Sequence, residues 1–285
     1  MPLIYIAVGD AYGASREFVE PKDQGPNDGK TYGKHPQLPL GNGRYTDDAQ
    51  MSIAVVRAML SGGRIPRKPI KWADFFHETY KRDPRPGYSS GFAKLLDSTE
   101  NGEDLLLSIV PHSVRSGAPM RSAVLGAYSD VSTVLRLTAE QAAITHNTPI
   151  AIECARAVAL AFHYLVHRKG PREKLGEFVN FNLGSPQVDW THDRREWASV
   201  DAEPCTRNAI TAWRDSTSAS EVLKNAIRFG GDVDTVAAIA MALAWADPTI
   251  ANDLDPELLD GLEAEPYGFQ YLHDKTAEYV EMFLK

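Results

Sequence analysis

Three acidic clusters, far apart in the chain, hold the residue types best suited to chemistry. They are Gly9-Asp10-Ala11-Tyr12-Gly13 with Glu17, then Thr46-Asp47-Asp48, then Gly230-Gly231-Asp232-Val233-Asp234-Thr235. Each sets carboxylates or a hydroxyl beside small residues at one end of an apolar, helix-like run. Neighbouring carboxylates repel, and burying them without a partner is costly. A hard divalent cation removes that cost, and oxygen-only ligation with no Cys or His favours magnesium, manganese or calcium over zinc. A single Asp at a helix start is explained by capping, but Asp232, Asp234 and Thr235 offer two carboxylates and a hydroxyl. Thr46-Asp47-Asp48 repeats the device. If the two ends converge they supply six oxygens, enough for two octahedral ions once waters and substrate oxygens complete the shell. Asp10 reads equally well as a local cap. Glu17 is not needed to close the metal shell, which makes it a candidate general base or substrate clamp.

Softer signals surround these clusters. Ser113 to Arg121 (SVRSGAPMR) is a small-residue loop whose backbone amides could cradle a phosphate. It places Ser116, Gly117, Ala118 and Met120 among the candidate substrate contacts. Arg82 to Gly91 (RDPRPGYSSG) is a second possible pocket loop and brings in Tyr88. His146 stands at a helix junction, where a cap and a ligand contact are comparably plausible. Gly231 belongs to the glycine pair that lets the chain turn tightly before Asp232.

The elements that must position these residues are helical. Asp48 to Leu60 carries Met51, Val55, Ala58 and Met59 at helical spacing, ended by Gly62-Gly63. Ile70 to Tyr80 puts Trp72, Phe75 and Phe76 on one face. Thr138 with Gln141 predicts a capping box for a short helix to about Thr145. Thr148-Pro149 opens a long run to His167, with Pro at the first helical position. Ser218 with Glu221 repeats the capping box, Asp234 to Ala246 predicts a central buried helix, and Gln270 to Leu284 a closing amphipathic one. Alternating strand patterns are scarce, so the expected fold is all-α. Two irregular segments interrupt it. Val19 to Tyr45 lies between two acidic motifs and is expected to form a lid or pocket wall. Leu183 to Pro204 holds Trp190, His192 and Trp197. With no internal repeat and helices on both sides of each loop, residues 1–285 read as a single domain.

The bulk composition narrows the function classes. The chain has 285 residues, 43% hydrophobic and 24% charged, as expected of a soluble globular protein able to bury a full core. A net charge of -8 argues against a nucleic-acid-coating surface. No segment approaches ~18 uninterrupted apolar residues, so a membrane span is not expected, and the start lacks the pattern of a signal peptide. The two cysteines, Cys154 in an apolar helical run and Cys205 in what reads as a polar loop, suggest a reducing compartment and a cytoplasmic location.

The order GDAYG…E, YTDDAQM, SGAPMR, THNTPIA and FGGDVDTVAAI resembles the ADP-ribosylglycohydrolases, and its motifs span residues 9 to 240. The resemblance implies an all-α fold with a binuclear magnesium or manganese centre at the base of a cleft. It implies hydrolysis of the bond joining the anomeric carbon of ADP-ribose to an acceptor, a protein side chain or small molecule, with ADP-ribose as product. By the same resemblance Thr46, Asp47, Asp48, Asp232, Asp234 and Thr235 correspond to metal ligands, and Glu17 to a carboxylate that in some members moves between metal and substrate. The Ser116-Gly117 loop corresponds to the diphosphate site and His146 to a contact of the adenosine-side ribose. Asp47 and Asp234, with Glu17, are the residues expected to carry catalysis. Members acting on ADP-ribosyl-arginine often place an Asp after the second helix, where this chain has Asp83 and Asp97 nearby. The rival expectations are a catalytically silent ADP-ribose-binding or structural member and a magnesium-dependent phosphohydrolase.

Overall fold

The computed structural model describes residues 1–61, 69–264 and 266–285. Among the described residues there are thirteen α-helices, three short 3-10 turns and isolated backbone bridges in place of a sheet. The helices are α1 (Pro2–Ala14), α2 (Asp47–Ser61), α3 (Pro69–Arg82), α4 (Ser90–Ser98), α5 (Gly102–Ser108), α6 (Val131–Ala143), α7 (Pro149–Val166), α8 (Leu175–Leu183), α9 (Ala202–Arg214), α10 (Ala219–Ile227), α11 (Val233–Ala246), α12 (Pro256–Asp260) and α13 (Phe269–Phe283). The all-α expectation holds.

The core is organised around α1 and α11. Both are apolar on every side and almost wholly buried, as a helix surrounded by other helices must be. They approach backbone to backbone because Gly9 and Gly13 lie one turn apart on the facing side of α1. A Cβ on Gly9 would collide with the carbonyl of Ala237, and one on Gly13 with the backbone of Val233 and Asp234. That close contact draws the end of α1, and hence Glu17, onto the first turn of α11. The N-terminus of α2 is joined to α1 in turn. Asp10, fully buried in α1, accepts from the Thr46 amide at 2.9 Å, the Ala49 amide at 2.8 Å and the Thr46 hydroxyl at 2.8 Å. Asp10 is thus a cap supplied by a different helix, which satisfies orphan donors of α2.

Several expectations need correction. Thr138 does not cap a helix. It lies inside α6, which starts at Val131 and is capped by Asp130 through the Thr133 amide. The Ser218–Glu221 box is half formed: Ser218 accepts from the Glu221 amide, while the Glu221 carboxylate turns to the amide and hydroxyl of Thr217. Cys205 is not in a loop but buried in α9. The end of SGAPMR and the residues after it, which read as the start of a helical SAVLGAY run, form two 3-10 turns, Pro119–Arg121 and Ala123–Ala127. Gly62-Gly63 lie outside the described residues. Pro149–Val166 is long and apolar enough to cross a membrane by length and composition, yet 67% of that stretch is buried inside the protein.

The two irregular segments act as straps. The first, 19–45, is tied down by Asn27 to the Lys224 carbonyl, by Gln24 to the Ile227 carbonyl, and by Arg16 to the Pro26 carbonyl. The second joins two parts of the site through backbone bonds. Asp232 N–H donates to the Ala198 carbonyl at 2.9 Å, and two residues later the Val200 carbonyl accepts from Ser116 N–H at 3.0 Å.

Candidate active site

The ends of α1, α2 and α11 open on one cleft of about 540 Å3. Glu17, Asp47, Asp48, Asp232, Asp234 and Thr235 all line it. Glu17, Asp232 and Asp234 each bring a carboxylate oxygen within 4.8 Å of the others. Asp47 and Asp48 occupy the first turn of α2 and Asp234 that of α11, so two helix N-termini point their positive ends at this negative group. The helix ends do not neutralise it. Burial, with Asp10 and Asp232 next in weight, holds Asp47 well above the usual carboxylate range. Burial and the neighbouring Asp47 do the same to Asp48, and burial with Glu17 and Asp48 to Asp234. Glu17 is pushed up to about 8 by burial, then by Asp232 and Asp10.

This donor set fits a hard cation. Asp48 Oδ1 is buried with no hydrogen-bond partner. Such an orphaned anionic oxygen among other carboxylates calls for positive charge. Asp232 is held by its other contacts: its Oδ2 accepts from Ser116 Oγ at 2.9 Å and from Cys205 Sγ at 3.3 Å. Thr46 is placed differently from its partners. It does not line the cleft, and its hydroxyl proton goes to Asp10.

The remaining predicted residues divide in the same way. Gly117, Met120, His146 and Tyr88 line the cleft. Ala118 is fully buried in a small cluster with Ala142 and Ala155, behind the wall. Gly231, with φ +86, packs against the Ala198 carbonyl and lies outside the cleft lining. Ser116 lines it, but its amide and hydroxyl hydrogens are both engaged, with Val200 and Asp232. Its donors therefore anchor the phosphate-type loop to Asp232, leaving any anion to Gly117 and its neighbours. Asp83 pairs with Arg85 at 2.6 Å and Asp97 accepts from Tyr80 at 2.8 Å, and neither faces the cleft.

His146 is set by a buried chain that the sequence did not disclose. Arg121, fully enclosed and lowered to about 9 by burial, donates to Gln141, to the Gly117 carbonyl and to Thr145 Oγ1. Thr145 Oγ1, accepting from the guanidinium, lies 2.6 Å from His146 Nδ1. When Thr145 donates to Nδ1 the ring hydrogen sits on Nε2, which lies against Gly117. Burial and the Arg121 charge lower His146 to about 3, so it stays neutral. Tyr88 is fixed by its hydroxyl to Gln50 Oε1 at 2.7 Å, and Gln50 in turn donates to the Asp83 carbonyl at 2.5 Å. Sequence reasoning also passed over the apolar wall of Phe92 and Leu95 in α4 and of Ile109 and Val110 just past α5, since apolar residues at such spacing resemble any core face.

A family model for ADP-ribosylglycohydrolase matches residues 3–263. The chain belongs to the ADP-ribosylglycohydrolase family. A solved structure described as an ADP-ribosylglycohydrolase-related protein complex is similar to it, with a TM-score of 0.76 and 21% identity over 99% of this chain and 95% of that one. At that identity the likeness establishes the fold. The family match supports ADP-ribosylglycohydrolase-type activity, and this family is generally metal-dependent. In this ADP-ribosylglycohydrolase family member the acidic cleft and the loop around Gly117 face the same space.

Proposed function

We propose that the protein is a metal-dependent hydrolase that releases ADP-ribose from an ADP-ribosylated protein side chain or small molecule. The observation that supports this best is the meeting of five carboxylates and Thr235 with Gly117 and His146 in one cleft. Asp47, Asp48, Asp232, Asp234 and Thr235 would hold two magnesium or manganese ions, with Thr46 keeping an oxygen lone pair for the same set. Bound there, such ions supply charge that lets the carboxylates ionise, draws in ribose hydroxyls and acidifies water. Glu17 takes a proton from the attacking water, whose oxygen forms a bond to the anomeric ribose carbon. The bond from that carbon to the acceptor breaks, its electrons stay with the acceptor atom, and the acceptor leaves with the proton that Glu17 took from the water. His146 Nε2–H offers a neutral donor to a sugar hydroxyl, and the Gly117 loop receives the diphosphate. The diphosphate itself is left whole, which separates this reading from a phosphohydrolase. An ADP-ribose-binding member without turnover is the second reading, and the complete donor set argues against it.

The test is a panel of ADP-ribosyl-arginine, ADP-ribosyl-serine, O-acetyl-ADP-ribose and ADP-ribosylated DNA, each with magnesium, with manganese and with chelator. Metal-dependent release of free ADP-ribose from one of them is expected, and names the acceptor. Release of inorganic phosphate, or ADP-ribose binding with no release from any conjugate, would overturn the hydrolase reading. The net charge of -8 makes DNA the least favoured acceptor, and the internal pairing of Asp83 and Asp97 removes the carboxylates nearest to a guanidinium role.

A further inference from the structure

Glu17 stands three residues beyond the end of α1, where no helix holds its side chain. What holds it is a histidine from the first strap. His35 Nε2 lies 3.1 Å from Glu17 Oε2, and the His35 side chain is 4% exposed. Its other ring nitrogen, Nδ1, faces two backbone donors, Gln37 N–H at 3.0 Å and Leu38 N–H at 2.9 Å. Two N–H groups aimed at one nitrogen require a lone pair there, so the ring hydrogen resides on Nε2 and is donated to Glu17. Burial lowers His35 below the ordinary histidine value, in keeping with a neutral ring. The strap cannot carry His35 away easily. Gly33 packs so near α1's end that an added Cβ would stand 3.0 Å from the Ser15 Cβ, and Tyr12 takes up Asn27 and the Gly29 amide through its hydroxyl.

We propose that His35 is the positioning residue for Glu17, a neutral imidazole protonated at Nε2 that fixes one carboxylate oxygen and so keeps the group beside Asp232 and Asp234. It does not relay protons. Nε2 already carries a hydrogen and Nδ1 is closed by two amides, so a proton taken by Glu17 cannot pass to His35 and must return to the acceptor. The strap between the first two acidic motifs therefore serves the site from behind Glu17, and none of residues 19–45 lines the cleft. This proposal rests on Glu17 as the group that takes the proton in the hydrolase reading.

Two independent measurements test it. Long-range 15N–1H spectra of the full-length protein labelled at histidine, with His35→Gln used for assignment, should show a His35 ring protonated at Nε2 and bare at Nδ1. Kinetically, His35→Ala should lower kcat roughly 10- to 100-fold on whichever of ADP-ribosyl-arginine, ADP-ribosyl-serine or O-acetyl-ADP-ribose is cleaved, the scale of loss for a misplaced reacting group. KM and ADP-ribose affinity should stay within about twofold, the mark of a group acting in the chemical step. His35→Gln, whose amide can still donate to Glu17, should recover most of the loss, and His35→Ala should have no further effect on a Glu17→Gln background. A ring protonated at Nδ1, or an unchanged kcat in His35→Ala, or an equal loss with Glu17 already replaced, overturns the proposal. If His35→Ala does not fold, the spectrum and the His35→Gln kinetics decide. A wild-type protein that cleaves none of these three conjugates nor ADP-ribosylated DNA while its His35 ring is protonated at Nε2 sinks the hydrolase reading and upholds the pairing.

Discussion

At the scale of single residues, the site is a set of buried carboxylates that disfavour one another's charge, which the proposed cation would relieve. Asp234 illustrates both halves. Its raised affinity for a proton comes from burial and from Glu17, Asp48 and Asp232 around it, and like charges at such range disfavour ionisation. Asp234→Asn removes a ligand of the proposed ions but also removes part of this repulsion. Two outcomes follow from one substitution. Turnover and metal affinity should fall by at least about a hundredfold, since replacing a direct ligand exceeds the usual effect of an outer partner. The melting temperature in chelator at alkaline pH should rise or hold, because the folded state has one buried charge fewer. Calorimetry with and without magnesium, beside the conjugate assay, reads both. A large drop in stability in chelator would mean that Asp234 holds the fold together by itself, and the repulsion account would be wrong.

At the scale of elements, the sequence disclosed the two helix starts and not the means of bringing them together. Thr46-Asp47-Asp48 is a common helix opening by itself, and it announces itself only because Asp232-Val233-Asp234-Thr235 repeats the device with more oxygens than one cap needs. The α2 and α3 patterns were legible from their 3.6-residue period, and α7 and α11 from long apolar runs opened by Pro149 and Asp234. By contrast α1 is apolar all round, so it gives no period that tells which face meets α11. The role of Asp10 was hidden for the same reason, since a cap donated by another helix leaves no local spacing. His35 and the Arg121–Thr145–His146 chain depend on contacts between distant segments, as does the thiol of Cys205 on Asp232. Gly13 makes the hidden link testable. Gly13→Val would drive a branched side chain into the backbone of Val233 and Asp234. Overpacking of this kind typically costs about 1–3 kcal/mol and sometimes more. The protein should lose stability in urea and, because the first turn of α11 moves, magnesium affinity as well. A variant that loses stability while binding magnesium normally would show that α1 does not set the geometry of the α11 carboxylates.

At the scale of the whole molecule, the carboxylates link folding to proton binding and, in the proposed hydrolase, to metal binding. Asp10 is pushed up to about 6, chiefly by burial, and Glu17 to about 8, while Asp47, Asp48 and Asp234 stand well above their usual range. In the unfolded chain all five titrate near 4. The folded state therefore binds more protons than the unfolded state from about pH 4 upward, and stability must fall as pH rises through the folded-state values. The contribution is complete below about pH 4 and is lost through about pH 6 for Asp10 and about pH 8 for Glu17. A cation that binds only the folded form opposes this loss by mass action, about 2.7 kcal/mol at a hundred times its dissociation constant. It competes with the same protons, so its effect grows with pH. Without metal the melting temperature is expected to decline from about pH 5 to about pH 8, and the increment given by magnesium to widen over that interval. Scanning calorimetry at several pH values, in chelator and in magnesium, measures both trends at once. An increment that is flat, or larger in acid, would place the cation away from these carboxylates. Asp48→Asn tells whether the linkage runs through the cluster, because it removes a cluster carboxylate with an unpartnered buried oxygen and should flatten the magnesium increment across the same interval.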